Sequence, residues 1–282
     1  MTVDLHVHTT HSDGRLSPVE VVEASRERGL TAISLTDHDV LFELPSAAPG
    51  LELVPGIEMT AQWHGPRAVH VLGYFVDSHD AALNAALDRA RTLMERHVDA
   101  VLREIRTAGG SLERADLDRY RHRYAGGAAL VLGMLEQGVL RGAPPGTGMR
   151  LLRLAAAEPR AYSVADAIAL IHGAGGVASL AHPARLLRAQ PLQSADDLRP
   201  FVDLGLDALE AWQWVPGGWG SQHYLAVALE LGVLVSGGSD DHGKVMADGR
   251  RRLGAQPIPD EVLEALRERA QSIRRARSCT SR

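Results

Sequence analysis

The chain has 282 residues, 45% of them hydrophobic and 23% charged, and its formal net charge is −5 with histidine neutral. Such a composition is typical of a soluble globular protein and argues against disordered, collagen-like and disulfide-stabilised chains. The acidic balance argues against a stable nucleic-acid complex, and no apolar run is long enough to cross a membrane. Because the amino terminus lacks the basic and apolar regions of a signal peptide, we expect a cytoplasmic protein.

The first elements in chain order predict a β/α unit. Val3–Val7 is a short apolar strand, and residues 17–20 (SPVE) have the pattern of a capping box with proline at the first helical position. Gly29 ends this helix, and Thr31–Thr36 is a second short strand. Because strand, helix and strand follow within about 35 residues, the two strands are expected to pair in parallel.

Strand and helix patterns alternate along most of the remaining chain, which indicates the α/β class. The further strand candidates are Leu51–Val54, Ile57–Ala61, Ala68–Phe75, Gly176–Ala181, Ala208–Ala211 and Val233–Ser236. The helical patterns outside the middle of the chain are Val164–His172, Ala195–Leu204, Gln222–Leu231 and Pro259–Ala270. The arginine-rich segment Arg267–Arg282 is expected to fray.

The middle of the chain lacks strands and predicts an all-helical insertion. Ala81–Ala108 has the pattern of one long helix, and Gly-Gly at positions 126–127 and the segment GAPPG at positions 142–146 separate shorter helices. We therefore predict a discontinuous β/α domain of residues 1–78 and 160–275, a helical insertion of residues 79–159 and a carboxyl-terminal tail of residues 276–282.

Thirteen histidines stand against one cysteine, and six of them lie on or beside predicted strands together with three carboxylates. Most of these nine residues come at the carboxyl end of a strand, where catalytic loops gather in barrel-like β/α domains. The nine are His6, His8, Asp13, His38, Glu58, His70, His182, Asp240 and His242. Glu58 follows a turn predicted at residues 55–57.

Imidazoles and carboxylates together suit Mn²⁺, Fe²⁺ or Zn²⁺. Nine such groups exceed the first shell of one ion, so we expect two or three divalent metal ions. A single histidine at a strand end is more often an ordinary hydrogen-bonded residue. An H-x-H pair, a strand-end aspartate, an H-P step and a D-x-H pair in one chain strongly indicate a metal centre, and neighbouring metals can promote phosphoester hydrolysis.

The motifs that carry these residues resemble those of the PHP (polymerase and histidinol phosphatase) family over residues 1–80 and 170–245. The motifs are DLHVHTTHSDG, SPVE, LTDHD, PGIE, VHVLGY, AHPAR and GGSDDH. The TDHD form and the helical insertion are similar to the branch that contains nucleoside 3′,5′-bisphosphate phosphatases and short-oligonucleotide exonucleases. They are less similar to the histidinol phosphatase branch.

The resemblance implies a distorted (β/α)₇ barrel with an inserted all-helical subdomain and a trinuclear metal centre. By the family pattern, one metal takes His6, His8, Glu58 and Asp240. A second takes His70 and His182 and shares Glu58, and a third takes Asp13, His38 and His242. Asp13, Glu58 and Asp240 are then the catalytic carboxylates. Arg185, in AHPAR, matches a position that can hold a substrate phosphate through its fork of donors.

One motif of this branch is altered. Its insertion usually carries G-R-[PT]-H, which grips phosphate over the metals, whereas this chain has Gly-Gly-Ala-Ala at residues 126–129. The arginine and the histidine are both missing. Residues that could replace them lie just upstream: Arg119, Arg121, His122 and Arg123. We expect the metal ligands to be intact and the binding of the substrate phosphate to differ from that of this branch.

The favoured interpretation is a metal-dependent phosphoesterase acting on a small phosphomonoester, such as a nucleoside 3′,5′-bisphosphate. A metal-activated hydroxide would attack phosphorus in line with the leaving oxygen. A neighbour such as Asp37, or a bound water, could protonate the leaving group.

Two alternatives stay open. A 5′-3′ exonuclease on short oligonucleotides would use the same metals, and Trp212, Trp214 and Trp219 could either stack bases or cap a barrel loop. A non-catalytic protein that binds metal or a phosphorylated ligand is the other, because the phosphate-gripping motif is missing. Hydrolysis of a bisphosphate against a short RNA separates the two enzymes, and a phosphatase screen with Mn²⁺ tests the non-catalytic alternative.

Overall fold

The computed structural model describes residues 2–44, 49–64, 67–117, 127–139, 141, 146–185, 192–213, 221–244, 249 and 251–280. Within these ranges seven strands form one sheet, and the strands follow each other in chain order. They are β1 (Val3–Val7), β2 (Ala32–Leu35), β3 (Glu52–Trp63), β4 (Arg67–Tyr74), β5 (Val177–Leu180), β6 (Ala208–Trp212) and β7 (Leu234–Gly237). This is the α/β class that the sequence predicts.

The sheet curls so that its first and last strands meet. At the carboxyl end of β1, the His8 N–H donates to the Asp241 carbonyl over 2.9 Å, and the Asp240 N–H donates to the His6 carbonyl over 2.8 Å. Asp240 and Asp241 follow β7. Parallel pairing of β1 with β2 is confirmed, and β5, β6 and β7 also pair in parallel. β4 is antiparallel to both of its neighbours, so the barrel is distorted, as expected.

The turn predicted at residues 55–57 was wrong, because β3 continues through it as one strand of 12 residues. Up to Pro55, which is the register partner of Leu35, β3 pairs with β2. From Gly56 onward it pairs with β4. A proline has no N–H to give to a ladder and is tolerated where pairing changes from one neighbour to the other. The site therefore receives Glu58 from within a strand.

Helices surround the sheet. Those described are α1 (Pro18–Glu27), α2 (Ala81–Thr107), α3 (Arg114–Leu117), α4 (Gly127–Glu136), α5 (Thr147–Ala156), α6 (Val164–Gly173), α7 (Ala195–Asp203), α8 (Ser221–Leu231) and α9 (Asp260–Thr280). α1 begins with the predicted capping box between Ser17 and Glu20. None of these helices is long and apolar enough to span a bilayer.

The long helix α2 contributes to two hydrophobic clusters. Leu83, Ala86 and Ala90 pack in the core that surrounds β3, β4 and β5. Met94 and Val98 pack instead in a separate cluster with residues of α3, α4 and α5. One stiff helix therefore joins the barrel core to the helical region, and the boundaries at residues 79 and 159 stay a prediction.

The expectation that the arginine-rich carboxyl-terminal segment frays was wrong. α9 continues ten residues past the predicted helix end at Ala270, as far as Thr280. Its arginines bind groups at the base of the barrel. Arg269 Nε donates to Asp207 Oδ1 over 2.8 Å, and Arg274 Nε donates to the Gly175 carbonyl over 3.2 Å. These long-range contacts supply the stabilisation that local sequence patterns do not reveal.

Candidate metal centre

All nine residues predicted as metal ligands lie together, near the carboxyl ends of β1, β2, β5 and β7 and on the adjoining parts of β3 and β4. Eight of them form three overlapping donor sets in which one ligand atom per residue lies within 4.8 Å of the others. The sets are His6, His8, Glu58 and Asp240; His8, Asp13, His38 and His242; and His38, Glu58 and His70. The ninth residue, His182, has its Nε2 3.0 Å from Glu58 Oε1.

In the first set, lone pairs converge from four side chains. His6 Nε2 lies 3.1 Å from His8 Nε2. His6 Nε2 also lies 3.3 Å from both Glu58 Oε2 and Asp240 Oδ1. Because His6 Nδ1 donates to Glu210 over 2.9 Å, the neutral tautomer leaves a lone pair on Nε2. A cation shared between these donors would remove the repulsion of their lone pairs.

Glu58 is the centre of the cluster. Its Oε2 lies within 3.1–3.3 Å of three imidazole nitrogens, those of His6, His8 and His38. Its Oε1 lies 2.9 Å from His70 Nδ1 and 3.0 Å from His182 Nε2. One fully buried carboxylate therefore faces two groups of imidazoles with its two oxygens.

Asp13 organises the second set at the mouth of the barrel. Its Oδ2 lies 3.3 Å from His242 Nε2 and 4.0 Å from His38 Nε2, while its Oδ1 lies 3.5 Å from His8 Nδ1. His242 Nδ1 donates to the Asp240 carbonyl over 2.9 Å, which leaves Nε2 as the ligand atom. Asp13 is 28% exposed at its side chain, so this set faces the open end of the site.

The charges of the cluster favour a bound cation. Burial raises the pKa values of Glu58 and Asp240, but the surrounding imidazoles outweigh it and hold both pKa values well below their usual range. Burial lowers the pKa of His38 to about 3, so this imidazole stays neutral. Burial also lowers the pKa of His6, but Glu210 and the other two carboxylates outweigh it and raise the pKa to about 10. Ionised carboxylates facing imidazoles attract a proton or a metal ion.

The residues fit divalent metal ions. Glu58 Oε2 and His38 Nδ1 are both buried and lie 3.2 Å apart, but neither makes a hydrogen bond of good geometry with a described residue. Buried polar atoms of native proteins normally have a partner, which here would be a metal ion. All donors are imidazole nitrogens or carboxylate oxygens, the set that suits Mn²⁺, Fe²⁺ and Zn²⁺.

Glu210 on β6 was missed by the sequence reasoning. It is fully buried, its Oε1 accepts from His6 Nδ1, and its Oε2 accepts from the His182 N–H over 2.6 Å. A carboxylate behind a ligating imidazole fixes its orientation and raises its basicity. The only signal in the sequence is an acidic residue inside an apolar strand, ALEAW at residues 208–212.

Asp37, considered as a leaving-group acid, has both oxygens engaged elsewhere. Oδ1 accepts from the Thr9 N–H, the Ser12 N–H and the Ser12 hydroxyl, and Oδ2 accepts from the Thr9 hydroxyl, at distances of 2.6–2.9 Å. The carboxyl group is fully buried among them. Asp37 therefore holds the loop that carries Asp13, and these contacts argue against a role in protonating the leaving group.

Backbone strain concentrates at the site. Asp39, His182 and Asp240 each follow a strand and have φ values of 52°, 30° and 50°. Non-glycine residues rarely adopt this region, and such strain clusters at functional sites. At Gly238 a Cβ would lie 2.2 Å from the His6 Cβ, so only glycine lets the end of β7 approach β1 this closely.

A cavity of about 200 Å³ opens on the cluster. Asp13, His38 and His70 line it together with Asp39 and Thr60. The remaining lining residues come from α2 and from the segment before α6, namely Ala90, Met94, Glu158, Pro159, Arg160 and Ala161. A substrate that reaches the donor sets through this cavity therefore also contacts the helical side of the molecule.

Most residues predicted to contact substrate have side chains outside the part of the chain that the structure describes. Arg185 ends a short 3₁₀ turn, Pro183–Arg185, directly after His182, and its side chain lies outside the described set. Residues 119–123 and Gly126 also lie outside it, as do Trp214 and Trp219. Trp212 is half-buried and packs against two core clusters.

A distorted β/α barrel that gathers imidazole and carboxylate donors near the carboxyl ends of its strands is typical of metal-dependent hydrolases.

A family model described as PHP domain matches residues 4–105. The chain is 31% identical over 199 residues to a 5′-3′ exoribonuclease of Haemophilus influenzae, which covers 64% of this chain and 69% of the relative. It is 30% identical over 201 residues to a 3′,5′-nucleoside bisphosphate phosphatase of Chromobacterium violaceum, with 65% and 67% covered.

The solved structure of a protein from Bifidobacterium adolescentis, assigned as a metal-dependent phosphoesterase, has the same fold. Its TM-score is 0.69 at 23% identity, with 95% of this chain and 96% of that chain covered. The family model and the two relatives show that the chain belongs to the PHP family, and it is a metal-dependent phosphoesterase.

Proposed function

We propose that the protein hydrolyses a small phosphomonoester, specifically a nucleotide such as a nucleoside 3′,5′-bisphosphate. The observation that carries this proposal is the convergence of His6, His8, Glu58 and Asp240, whose ligand atoms lie within 4.8 Å of one another. The bisphosphate phosphatase of Chromobacterium violaceum, to which 65% of the chain aligns, supports the substrate class.

Two or three divalent metal ions would be held by the nine predicted ligands, with Glu58 shared between two of them. His6, His8, Glu58 and Asp240 would hold the first ion, His70 and His182 the second, and Asp13, His38 and His242 the third. When bound, the ions lower the pKa of a coordinated water and neutralise charge on the phosphoryl oxygens. Mn²⁺, Fe²⁺ and Zn²⁺ all suit this donor set.

The chain's own residues would orient the reaction. The ionised carboxylates of Asp13, Glu58 and Asp240 would attract the metal ions to the donor sets. Glu210 keeps His6 in the orientation in which Nε2 faces the donor set. Arg185 would bind an oxygen of the reacting phosphate, because its backbone lies directly beyond His182 and its fork of donors matches phosphate.

A second candidate is a 5′-3′ exonuclease on short oligonucleotides. The exoribonuclease of Haemophilus influenzae, 31% identical over 199 residues, favours it. A phosphodiester would use the same donor sets and would need room for a second nucleotide. The non-catalytic alternative was wrong, because the chain is a metal-dependent phosphoesterase of the PHP family and its donor sets are intact. A cytoplasmic location stays a prediction of the sequence.

The test is a turnover assay with the Mn²⁺-loaded protein on a nucleoside 3′,5′-bisphosphate, a nucleoside monophosphate and a short RNA. We expect phosphate release from the bisphosphate to be fastest, and faster cleavage of the RNA would favour the exonuclease. Asp13→Ala and His70→Ala should each abolish turnover and lower the metal content. Full activity in both variants, or no activity of the wild type on any phosphoester, would contradict the proposal.

A further inference from the structure

Arg160 is a largely buried cation in the wall of the cavity that opens on the donor sets. It lies in the segment between α5 and α6, and its side chain is only 15% exposed. Arg160 lines the same cavity as Asp13, His38 and His70. Arginines are rarely buried unless they are paired or bind a ligand.

One edge of the guanidinium is already engaged. Arg160 Nη1 donates to the Pro159 carbonyl over 3.1 Å and lies 3.3 Å from Glu158 Oε2. These contacts hold the group in place at one nitrogen. Its Nε is buried and has no hydrogen-bond partner in the part of the chain that the structure describes. A buried donor without an acceptor is costly, which favours a ligand with a charged acceptor at this position.

The guanidinium stands outside the donor sets although it shares their cavity. Among the described residues, its ion-pair partner within 4.0 Å is Glu158, and the carboxylates of Asp13, Glu58 and Asp240 are not within that distance. An anionic group can therefore contact Arg160 without taking a place among the imidazoles. A substrate with two anionic groups could reach both places at once.

We propose that Arg160 binds a second phosphate group of the substrate, the one that is not hydrolysed. This inference rests on the proposed phosphoesterase function and extends it to substrates that carry two phosphates. Arginine suits this role because its planar fork of N–H donors matches the oxygens of a phosphate. Arg160 thereby selects a bisphosphate over a simple monoester.

The experiment compares Arg160→Gln with wild type on two substrates, with Mn²⁺ present in both assays. On a nucleoside 3′,5′-bisphosphate, kcat/KM should fall about 10- to 100-fold, the usual effect of losing a charged hydrogen bond. On p-nitrophenyl phosphate, which has no second phosphate, it should change less than about twofold, because Arg160 then has no partner. Arg160→Lys should recover part of the loss, since lysine keeps the charge without the fork.

Arg150→Gln is the matched control, because Arg150 is an exposed arginine that pairs with Glu104 over 2.9 Å on the outer surface of the helices. It should leave both substrates unaffected. Equal losses of Arg160→Gln on the two substrates, or no loss on the bisphosphate, would overturn the proposal. Should Arg160→Gln melt at a clearly lower temperature, the Arg160→Lys variant decides, with a selective loss on the bisphosphate supporting the assignment and an unselective one opposing it.

Failure of the proposed function gives a different result, in which the wild type hydrolyses neither substrate. Equilibrium binding of the same bisphosphate to the Mn²⁺-loaded protein then decides the role of Arg160. Binding at least about tenfold weaker in Arg160→Gln would support it. Equal binding by both proteins, or no binding by the wild type, would overturn it.

Discussion

Glu210 Oε1 lies 2.9 Å from His6 Nδ1, and this contact joins the middle of the barrel to the candidate metal centre. The other oxygen of Glu210 accepts from the backbone N–H of His182, so one buried carboxylate fixes donors that come from β1 and from the end of β5. The Nε2 atoms of both histidines lie near Glu58. Glu210 therefore orients the imidazole of His6 and holds the backbone at His182.

We predict that Glu210→Gln weakens metal binding about 10- to 100-fold without unfolding the protein. The glutamine amide can still accept from one of the two donors, but its NH₂ group then opposes the other. Metal titration of the chelator-treated protein measures the change. Glu230→Gln on the exposed surface of α8 serves as the control and should bind metal as the wild type does. Unchanged affinity in Glu210→Gln would show that His6 is oriented without it.

Metal removal should destabilise the protein. The donor sets exist only in the folded chain, so bound ions stabilise it by mass action, by about 2.7 kcal/mol when the free ion is at 100 times its Kd. Treatment with a chelator should lower the melting temperature, and Mn²⁺ should restore it in proportion to the logarithm of its concentration. Asp13→Ala should reduce this response. A melting temperature that is independent of metal would contradict the candidate site.

Gly238→Ala should destabilise the fold and disturb the site together. A Cβ at residue 238 would lie 2.2 Å from the His6 Cβ and 2.4 Å from the His6 nitrogen, and neither backbone segment can move freely. We expect a loss of about 3 kcal/mol in the free energy of unfolding, measured by urea denaturation. Gly173→Ala is the matched control, because a Cβ there meets nothing within 4 Å. Equal stability of the two variants would refute the packing argument.

The strand-borne donors were predictable because two simple constraints locate them. Strand alternation places His6 and His8 on one face, and parallel strands bring their carboxyl ends to one edge. His182 and Asp240 follow β5 and β7, so their positions were also predictable. The barrel is confirmed and the nine residues lie together, while the assignment of each residue to a metal ion stays a prediction.

Residues that act from a distance were not predictable. Glu210 and Arg160 carry no local motif, and their roles depend on which elements pack beside them. The sequence predicts two strands in place of β3, because a Pro-Gly pair indicates a turn. In the structure this pair marks the point at which one continuous strand changes its pairing partner. The end of α9 was misjudged for the same reason, since its arginines are ordered by Asp207 and by the Gly175 carbonyl, which lie far away in the sequence.

Asp207 provides a pH-dependent contribution to stability away from the candidate metal centre. Its carboxylate is fully buried at the side chain and accepts from His172 Nε2 over 2.7 Å, from the Ala178 N–H over 2.8 Å and from Arg269 Nε over 2.8 Å. Burial raises the pKa of Asp207, but these partners outweigh it and lower the pKa below the ordinary value. A depressed pKa means that the ionised carboxylate stabilises the folded chain above the unfolded pKa and that this stabilisation is lost as the pH falls.

Asp207→Ala should therefore cost about 1–3 kcal/mol of unfolding free energy near pH 7, because three donors lose their acceptor. The difference from wild type should shrink as the pH falls below about 4, where the carboxyl of the unfolded wild-type chain begins to take up a proton, and it should vanish once the folded carboxyl is protonated as well. Urea denaturation near pH 7 and below about pH 4 measures this difference in unfolding free energy. Asp203→Ala, an exposed aspartate on α7, is the control and should show a small effect at either pH. A cost for Asp207→Ala that is equal at both pH values would mean that the lost packing, and not the charge of Asp207, holds α9 against the barrel.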